Sequence, residues 1–367
     1  MNQFPIQFRS DQIAHEVAEM ESKISAGIKL LTSMTDDEVD IGSTPKDIAY
    51  ERETFKVYHY KPLVPKEQIH PVPMIISTPL INGYEVADLQ PDRSLVRNFL
   101  NEGIDVYLIN WGYPKRCDRF NTIDDYVGDY LDDIVDQVSE QSGQEKINLF
   151  GICMGGTMAT CYSALHPEKV RNLALTVTPI DFHQNKVAGQ PHVGLLFEMG
   201  KAVNVNAMVD AFGNVPADVL NISFMMASPF ALMFGKYADT LDILDKKDAL
   251  LNFLRMEKWL FGGPEVPGEA YRQFVTEFLQ NNALVNNTLV LAGQKVDLKN
   301  LTMPVLNVYA ERDHLVPPPS TVALGKHIGN KKDYEELPIK TGHIGIYTGG
   351  APQKIVAPSI AKWLKAH

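Results

Sequence analysis

Three cysteines in 367 residues, Cys117, Cys153 and Cys161, are too few and too irregularly placed for a disulfide framework. No two of them have the spacing of a zinc knuckle, so a metal site is not expected, and a reducing compartment is the simplest reading. Basic charge is short too. Thirty-four Lys and Arg stand against 45 Asp and Glu, a net charge of −11, where a nucleic-acid binder would show a basic face. Long apolar runs are missing: the longest, FMMASPFALMF at 224–234, falls well short of the ~20 residues a membrane helix needs. The N-terminus, MNQFPIQFRSDQIAHEV, lacks the basic segment and apolar run of a signal peptide. Internal repeats, low-complexity tracts and Gly/Ser-rich linkers are also absent. These gaps leave a soluble, cytoplasmic protein with no nucleic-acid partner and no membrane span as the expectation. Hydrophobic residues make up 45% and charged residues 22%, which is ordinary for a globular chain. The length suits one large domain, or a domain carrying a sizeable insertion.

Residues 8–33 place Ile13, Val17, Met20, Ile24, Ile28 and Leu31 at steps of three and four. That pattern predicts an amphipathic helix with a single apolar stripe, which either packs on its own domain or receives a partner. Short β-rich runs follow at 55–60, 73–78, 104–110, 147–151 and 172–178, with helical stretches at 93–103 and 124–143 between them. Nearly continuous apolar strands alternating with amphipathic helices predict a parallel sheet covered on both faces. The alternation stops near Pro179. Residues 182–295 read as mostly helical and rich in Met, Phe and Asn, punctuated by GNVP (213–216) and GGPEVPG (262–268). Strand patterns resume at 304–310 and 334–342, and a helix closes the chain. The expected organisation is an N-terminal helical segment over 1–50, an α/β core over 51–181 and 296–367, and a helical cap inserted at 182–295.

The strand INLFG runs into Gly151-Ile152-Cys153-Met154-Gly155-Gly156 and then into helix-forming sequence. This is the Gly-x-Ser-x-Gly nucleophile elbow with cysteine in the serine position. The nucleophile occupies a strained strand-to-helix turn, and glycines two residues to either side let neighbouring backbone come close. At the helix N-terminus the dipole favours thiolate. Outside such a setting a cysteine is more often core filler, as Cys161, inside the elbow helix, is expected to be; Cys117, in a loop after Trp111-Gly112, is read as structural too. The strand PVLNVYA leads to Glu311-Arg312-Asp313-His314, where Asp313 is the candidate acid against a bland reading as a strand-capping turn residue. His314 is either a second histidine of the site or a turn residue. YEELPIKTG leads to His343. Nucleophile, acid, histidine, each after a strand, is the chain order of the α/β-hydrolase fold, so the fold class is α/β, a mostly parallel sheet with helices on both faces and a helical cap. The oxyanion hole is expected to combine the backbone N–H of Met154 with one from the loop at 77–89, where Ile81 and Asn82 fall just beyond a strand.

With these residues in place the sequence resembles the short catalytic subunit of poly(3-hydroxyalkanoate) synthases, the PhaC type. The resemblance runs through LINGYEVADLQPDRSL, DVYLINWGYP, TIDDYVGDY, GICMGGTMATCYSALHPEKVRNL, FGNVP, NFLRMEKW, YRQFVTEFLQNN, GQKVDLKN, ERDHLVPP and TGHIGIY. It implies polymerisation of (R)-3-hydroxyacyl-CoA, typically 3-hydroxybutyryl-CoA, with release of CoA, and no cofactor beyond the CoA thioester, which is substrate. It also implies Cys153 as the acyl acceptor, His343 as the base that activates it, and Asp313 as the group activating the attacking hydroxyl. The chain is similar to the two-subunit kind, nearer the class III type partnered by a PhaE subunit than the type partnered by PhaR. A homodimer, the polyester chain and a granule surface complete the implied partners. Thiol chemistry fits independently. Attack by a thiolate on an acyl-CoA exchanges one thioester for another and keeps the acyl group activated, whereas a serine would yield a stable oxygen ester; the thiol needs an adjacent base because its ordinary pKa is about 8.5. Two other readings stay open on the residues alone: a cysteine hydrolase or thioesterase of the same fold, and a non-catalytic hydrolase-fold scaffold.

Overall fold

The computed structural model describes residues 9–184, 186–187, 193–228 and 230–367. Its frame is an eight-stranded sheet built from β1 (Lys46–Arg52), β2 (Phe55–Tyr60), β3 (Met74–Ser77), β4 (Val106–Asn110), β5 (Ile147–Ile152), β6 (Val170–Thr176), β7 (Val305–Ala310) and β8 (Tyr334–Ile339). The order across the sheet is β1-β2-β4-β3-β5-β6-β7-β8. Strand β2 runs antiparallel to both neighbours, and the remaining pairings, from β4 through β8, are parallel. This is the α/β-hydrolase arrangement expected from the motif order.

The central strands are apolar at nearly every position because both faces are covered. Along β3, Ile75 points to one core while Met74 and Ile76 point to the other; along β5, Leu149 joins the first and Phe150 and Ile152 the second. Four helices supply the covers. The first core is closed by α3 (Leu131–Ser142) and α4 (Met154–Leu165), the second by α2 (Leu95–Asn101) and α10 (Val356–Ala366). Helix α2 starts at Leu95 because the Ser94 side chain accepts the Arg97 N–H. Helix α3 stops at Gly143, whose φ of 68° is left-handed and costs a glycine little.

The helix expected over 8–33 is present as α1 (Ser10–Ser33). The strand that follows was not legible. β1 reads KDIAYER, mixes charge with apolar residues because it is the sheet's edge, and begins within the segment assigned to the N-terminal helical region. In the inserted region the principal described α-helices are α5 (Leu195–Ala202), α6 (Val205–Phe212), α7 (Ala217–Met226), α8 (Lys247–Phe261) and α9 (Gly268–Gln273), the last continuing into a wider turn over Phe274–Gln280. The two turn-rich strings bind each other: Val215 and Val266 exchange backbone hydrogen bonds of 2.8 and 3.0 Å. A small hairpin, Val290–Leu291 with Gln294–Lys295, ends the insertion. Pro229, inside the apolar string 224–234, lies outside the described residues; around it Ala227 is fully buried, whereas Met226 and Phe234 are exposed. Among the described residues no helix is long and apolar enough to cross a membrane.

Candidate active site

Cys153 sits between the end of β5 and the first residue of α4, with φ 51° and ψ −121°, a conformation that non-glycine residues rarely adopt. The turn is held by hydrogen bonds. The Cys153 N–H donates to the Thr176 carbonyl at 3.0 Å, and the Cys153 carbonyl accepts from Gly156 at 2.8 Å and Thr157 at 3.2 Å. The three glycines around it are required by what surrounds them. A Cβ on Gly151 would stand 2.3 Å from Gly156 Cα, one on Gly155 2.3 Å from the Ser77 carbonyl oxygen, and one on Gly156 1.9 Å from Thr178 Oγ1. No larger residue fits, so strand, elbow and helix close up and leave the sulfur at the helix N-terminus.

Asp313 and His343 arrive on the turns after β7 and β8, at the same carboxyl edge of the sheet. His343 Nδ1 and Asp313 Oδ2 are 2.7 Å apart, with His343 5% and Asp313 2% exposed. The other carboxylate oxygen, Oδ1, accepts from the backbone N–H of Leu315 and of Val316, both at 2.9 Å. Each oxygen of Asp313 thereby has at least one hydrogen-bond partner. Burial works against a charged His343, but the Asp313 carboxylate and the Cys153 sulfur, by charge and by hydrogen bond, outweigh it and raise its pKa to about 10. With Nδ1 turned to Asp313, Nε2 is the nitrogen left for Cys153. The structure thus brings the three sequence-selected side chains, 30 and more positions apart in the chain, together in the order sulfur, imidazole and carboxylate.

Met154, Ile81, Asn82 and His314 line the same cavity as Cys153 and His343, a chamber of about 1130 Å³ between the sheet edge and the inserted helices. Met154 opens α4, and Asn82 turns the loop after β3 with a left-handed φ of 73°. His314 stands in the wall beside Leu315. The other cysteines lie apart from this site. Cys161 is fully buried, and burial pushes its thiol pKa far above the ordinary range; Cys117 is on the surface, its thiol 3.5 Å from Asp118 Oδ1, rather than in a core.

Two cavity residues escaped the sequence reading. Tyr347, 1% exposed, places its hydroxyl 2.9 Å from Thr176 Oγ1, on the strand next to Cys153. Trp259, on α8 of the inserted region, donates its indole N–H to the Gly83 carbonyl at 2.9 Å. Gly263, just beyond α8, lies so near the same loop that a Cβ there would be 3.1 Å from Asn82 Cα, and Tyr113 donates to the Gly262 carbonyl at 2.7 Å. The loop carrying Ile81 and Asn82 is therefore fastened to the end of a cap helix. A tryptophan on an amphipathic helix reads as core filling, and no spacing signals that its nitrogen reaches across to another element.

The comparisons agree with this geometry. Residues 83–350 match the alpha/beta hydrolase fold family, and residues 10–99 match the family described as the poly-beta-hydroxybutyrate polymerase (PhaC) N-terminus. The chain is 43% identical over 350 residues to the poly(3-hydroxyalkanoate) polymerase subunit PhaC of Synechocystis sp., covering 95% of this chain and 92% of that one. Identity to the protein of the same name from Allochromatium vinosum is 43% over 361 residues, 98% of this chain and 99% of the other. The chain belongs to the PhaC family of poly(3-hydroxyalkanoate) polymerase subunits. Among more distant PhaC relatives, the Cupriavidus necator protein is 27% identical over 80% of this chain but only 49% of its own length. In fold alone, the chain is similar to a monoacylglycerol lipase from Paleococcus ferrophilus, with a TM-score of 0.50, 12% identity, and coverage of 81% of this chain and 96% of the lipase.

Proposed function

We propose that the chain is the acyltransferase subunit that polymerises (R)-3-hydroxyacyl-CoA, 3-hydroxybutyryl-CoA in the first instance, into polyhydroxyalkanoate. The observation that carries this is a cysteine at a hydrolase elbow, in contact with a buried His343–Asp313 pair, in a chain 43% identical over nearly its whole length to PhaC polymerase subunits. In the first half-reaction the Cys153 sulfur attacks the thioester carbonyl, with its proton on His343. The C–S bond to CoA breaks, the acyl group is retained as a Cys153 thioester, and the departing CoA sulfur takes the proton from the imidazolium. In the second, the hydroxyl of a 3-hydroxyacyl group attacks that thioester and gives its proton to His343. An oxygen ester forms and Cys153 is released as the thiol. Met154 N–H and the loop at Ile81 and Asn82 are the proposed oxyanion donors at both tetrahedral stages.

The geometry supports one division of labour over another. Because Asp313 spends Oδ2 on His343 and Oδ1 on two backbone N–H groups, and is buried, its support for the hydroxyl goes through the imidazole rather than by direct contact. The remaining proposals follow the resemblance: a PhaE-type accessory subunit, a homodimer, and cytoplasmic activity at the surface of polymer granules. A thioesterase of the same fold would release free acid.

The test is incubation with 3-hydroxybutyryl-CoA while CoA and insoluble polyester are both followed. Polyester with CoA release supports the proposal; free acid with CoA release replaces it by hydrolysis. Cys153→Ser is expected to lower polymerisation by about three powers of ten, roughly 4 kcal/mol of barrier. Turnover near that of the parent would remove Cys153 from its role.

A further inference from the structure

The apolar stripe of α1 has no cover among the described residues. Ile13, Val17, Met20, Ile24, Ile28 and Leu31 lie along one face of a helix about 36 Å long, each between 38% and 57% exposed. The helix meets the rest of the chain near its C-terminal end: Gly27 closes on Leu244, where a Cβ would be 2.9 Å from Leu244 Cβ, and Lys23 pairs with Asp242 at 3.5 Å. Its mount is the inserted region. The turn after α1 continues the attachment: Arg255 donates to the Glu38 carbonyl at 2.6 Å, and Lys258 pairs with Asp40 at 3.4 Å. Both cations belong to α8, the helix whose Trp259 holds the loop of Ile81 and Asn82.

Spacing and charge together narrow what fits this face. Ile13, Val17, Met20 and Ile24 recur at steps of four, three and four, the spacing of helix-to-helix coiling, and the next position of that series, Gly27, is taken by Leu244, so the open seam is the part of the stripe from Ile13 to Ile24. The half of α1 from Ser10 to Glu21 carries Asp11, Glu16, Glu19 and Glu21 and neither lysine nor arginine. Glu16 and Glu21 flank the stripe on opposite sides. Two parallel copies would set Glu16 against Glu21 of the other copy, and two antiparallel copies centred on Ser22 would set Glu21 against Glu21, so a second α1 is a poor occupant. An anionic lipid surface is repelled by the same four carboxylates. A helix with an apolar 3.5-residue stripe flanked by Lys or Arg satisfies both requirements.

We propose that α1 is the docking helix for a separate polypeptide, which lays such a basic-flanked amphipathic helix along Ile13 to Ile24 and bears, through α8, on the loop of Ile81 and Asn82 that shares the cavity with Cys153. This rests on the reading of the chain as a catalytic subunit that works with a partner.

The test uses the full chain and two synthetic helical peptides with identical Ile/Leu stripes, one flanked by lysines and one by glutamates, titrated by fluorescence anisotropy. The lysine peptide is expected to bind about 30-fold or more tighter than the glutamate peptide at low salt. Val17→Glu with Ile24→Glu is expected to abolish binding, and Glu16→Lys with Glu21→Lys to transfer the preference to the glutamate peptide; CoA release by the chain alone stays as in the parent. Equal binding of both peptides, or of the lysine peptide to parent and Val17→Glu/Ile24→Glu chains, overturns the proposal. So does sedimentation showing a dimer that these substitutions dissociate, which would assign the face to a second copy, and so does stripe-dependent adsorption to phosphatidylglycerol vesicles. Absence of CoA release with peptide binding intact would instead count against the proposed activity and leave the docking face standing.

Discussion

Cys153 and Cys161 stand at either end of the same few helical turns, yet only one of them has a proton acceptor. Cys161 is walled in by apolar neighbours, where burial opposes ionisation, while Cys153 faces an imidazole that its own sulfur and Asp313 help to keep protonated. Replacing Cys161 by Ala should therefore change packing and leave acylation of Cys153 intact. The charge on His343 has a signature in stability. Its folded pKa is raised from 6.5 to about 10, so its contribution is fully present below about pH 6.5 and is lost as pH rises toward 10. In Asp313→Asn the main source of that elevation is gone. The expected result is a gap in thermal midpoint between parent and Asp313→Asn that is widest near pH 6 and narrows steadily up to pH 10; a gap constant across this range would contradict the charged pair. Rapid labelling of Cys153 by radioactive acyl-CoA should fall alike in Asp313→Asn and His343→Ala, as the proposed route from Asp313 through the imidazole requires. Normal labelling in Asp313→Asn with stalled elongation would return Asp313 to the hydroxyl.

At the scale of elements, strand, elbow and helix are packed so closely that glycine is obligatory. Gly155→Ala puts a methyl 2.3 and 2.5 Å from the Ser77 and Thr78 carbonyl oxygens, which are backbone and cannot swing aside. A loss of about 3 kcal/mol or more in denaturant unfolding is expected. Trp259 tests a different junction. Trp259→Phe keeps the buried ring but removes the hydrogen bond to Gly83, loosening the loop that carries Ile81 and Asn82. Acylation by acyl-CoA should slow about 10-fold with KM little changed, since only a stage with a developing oxyanion depends on that loop. Alkylation of Cys153 by iodoacetamide, which forms no oxyanion, should keep its rate. Equal slowing of both reactions would mean the substitution had disturbed the triad instead.

Over the whole molecule, two regions of different solidity face each other across the cavity. The sheet strands beneath Cys153 are buried on both faces, whereas the cap helices α6 and α7 bury two residues each and leave Phe212, Ile222 and Met226 about half exposed. Amide exchange should accordingly be fastest across 205–235 and slowest in β5 and β6. A non-hydrolysable acyl-CoA analogue should slow exchange in the cap and at the loop around Asn82 together, because Trp259 joins them. Protection of the cap equal to that of the sheet with no analogue present would make it ordinary core rather than a cover that moves.

Most of the sheet was legible because parallel strands buried on both faces leave continuous apolar runs. The exception, β1, lies at an edge where half of each residue meets water and the pattern dissolves into KDIAYER. The elbow was legible because backbone crowding admits only glycine at fixed offsets from the nucleophile, so local sterics write the motif into the chain. Asp313 and His343 were legible as residues following strands. Their 2.7 Å contact, the burial of Asp313 and the raised His343 pKa arise only when β7 and β8 lie side by side. Composition and local pattern determined which elements form and which side chain sits at the elbow, since periodicity and steric exclusion act between residues close in sequence. Tertiary structure alone decided how the acid divides its hydrogen bonds, that Trp259 reaches Gly83, and that the stripe of α1 is left facing outward. Each of those depends on the distance between residues far apart in the chain, set by how whole elements pack.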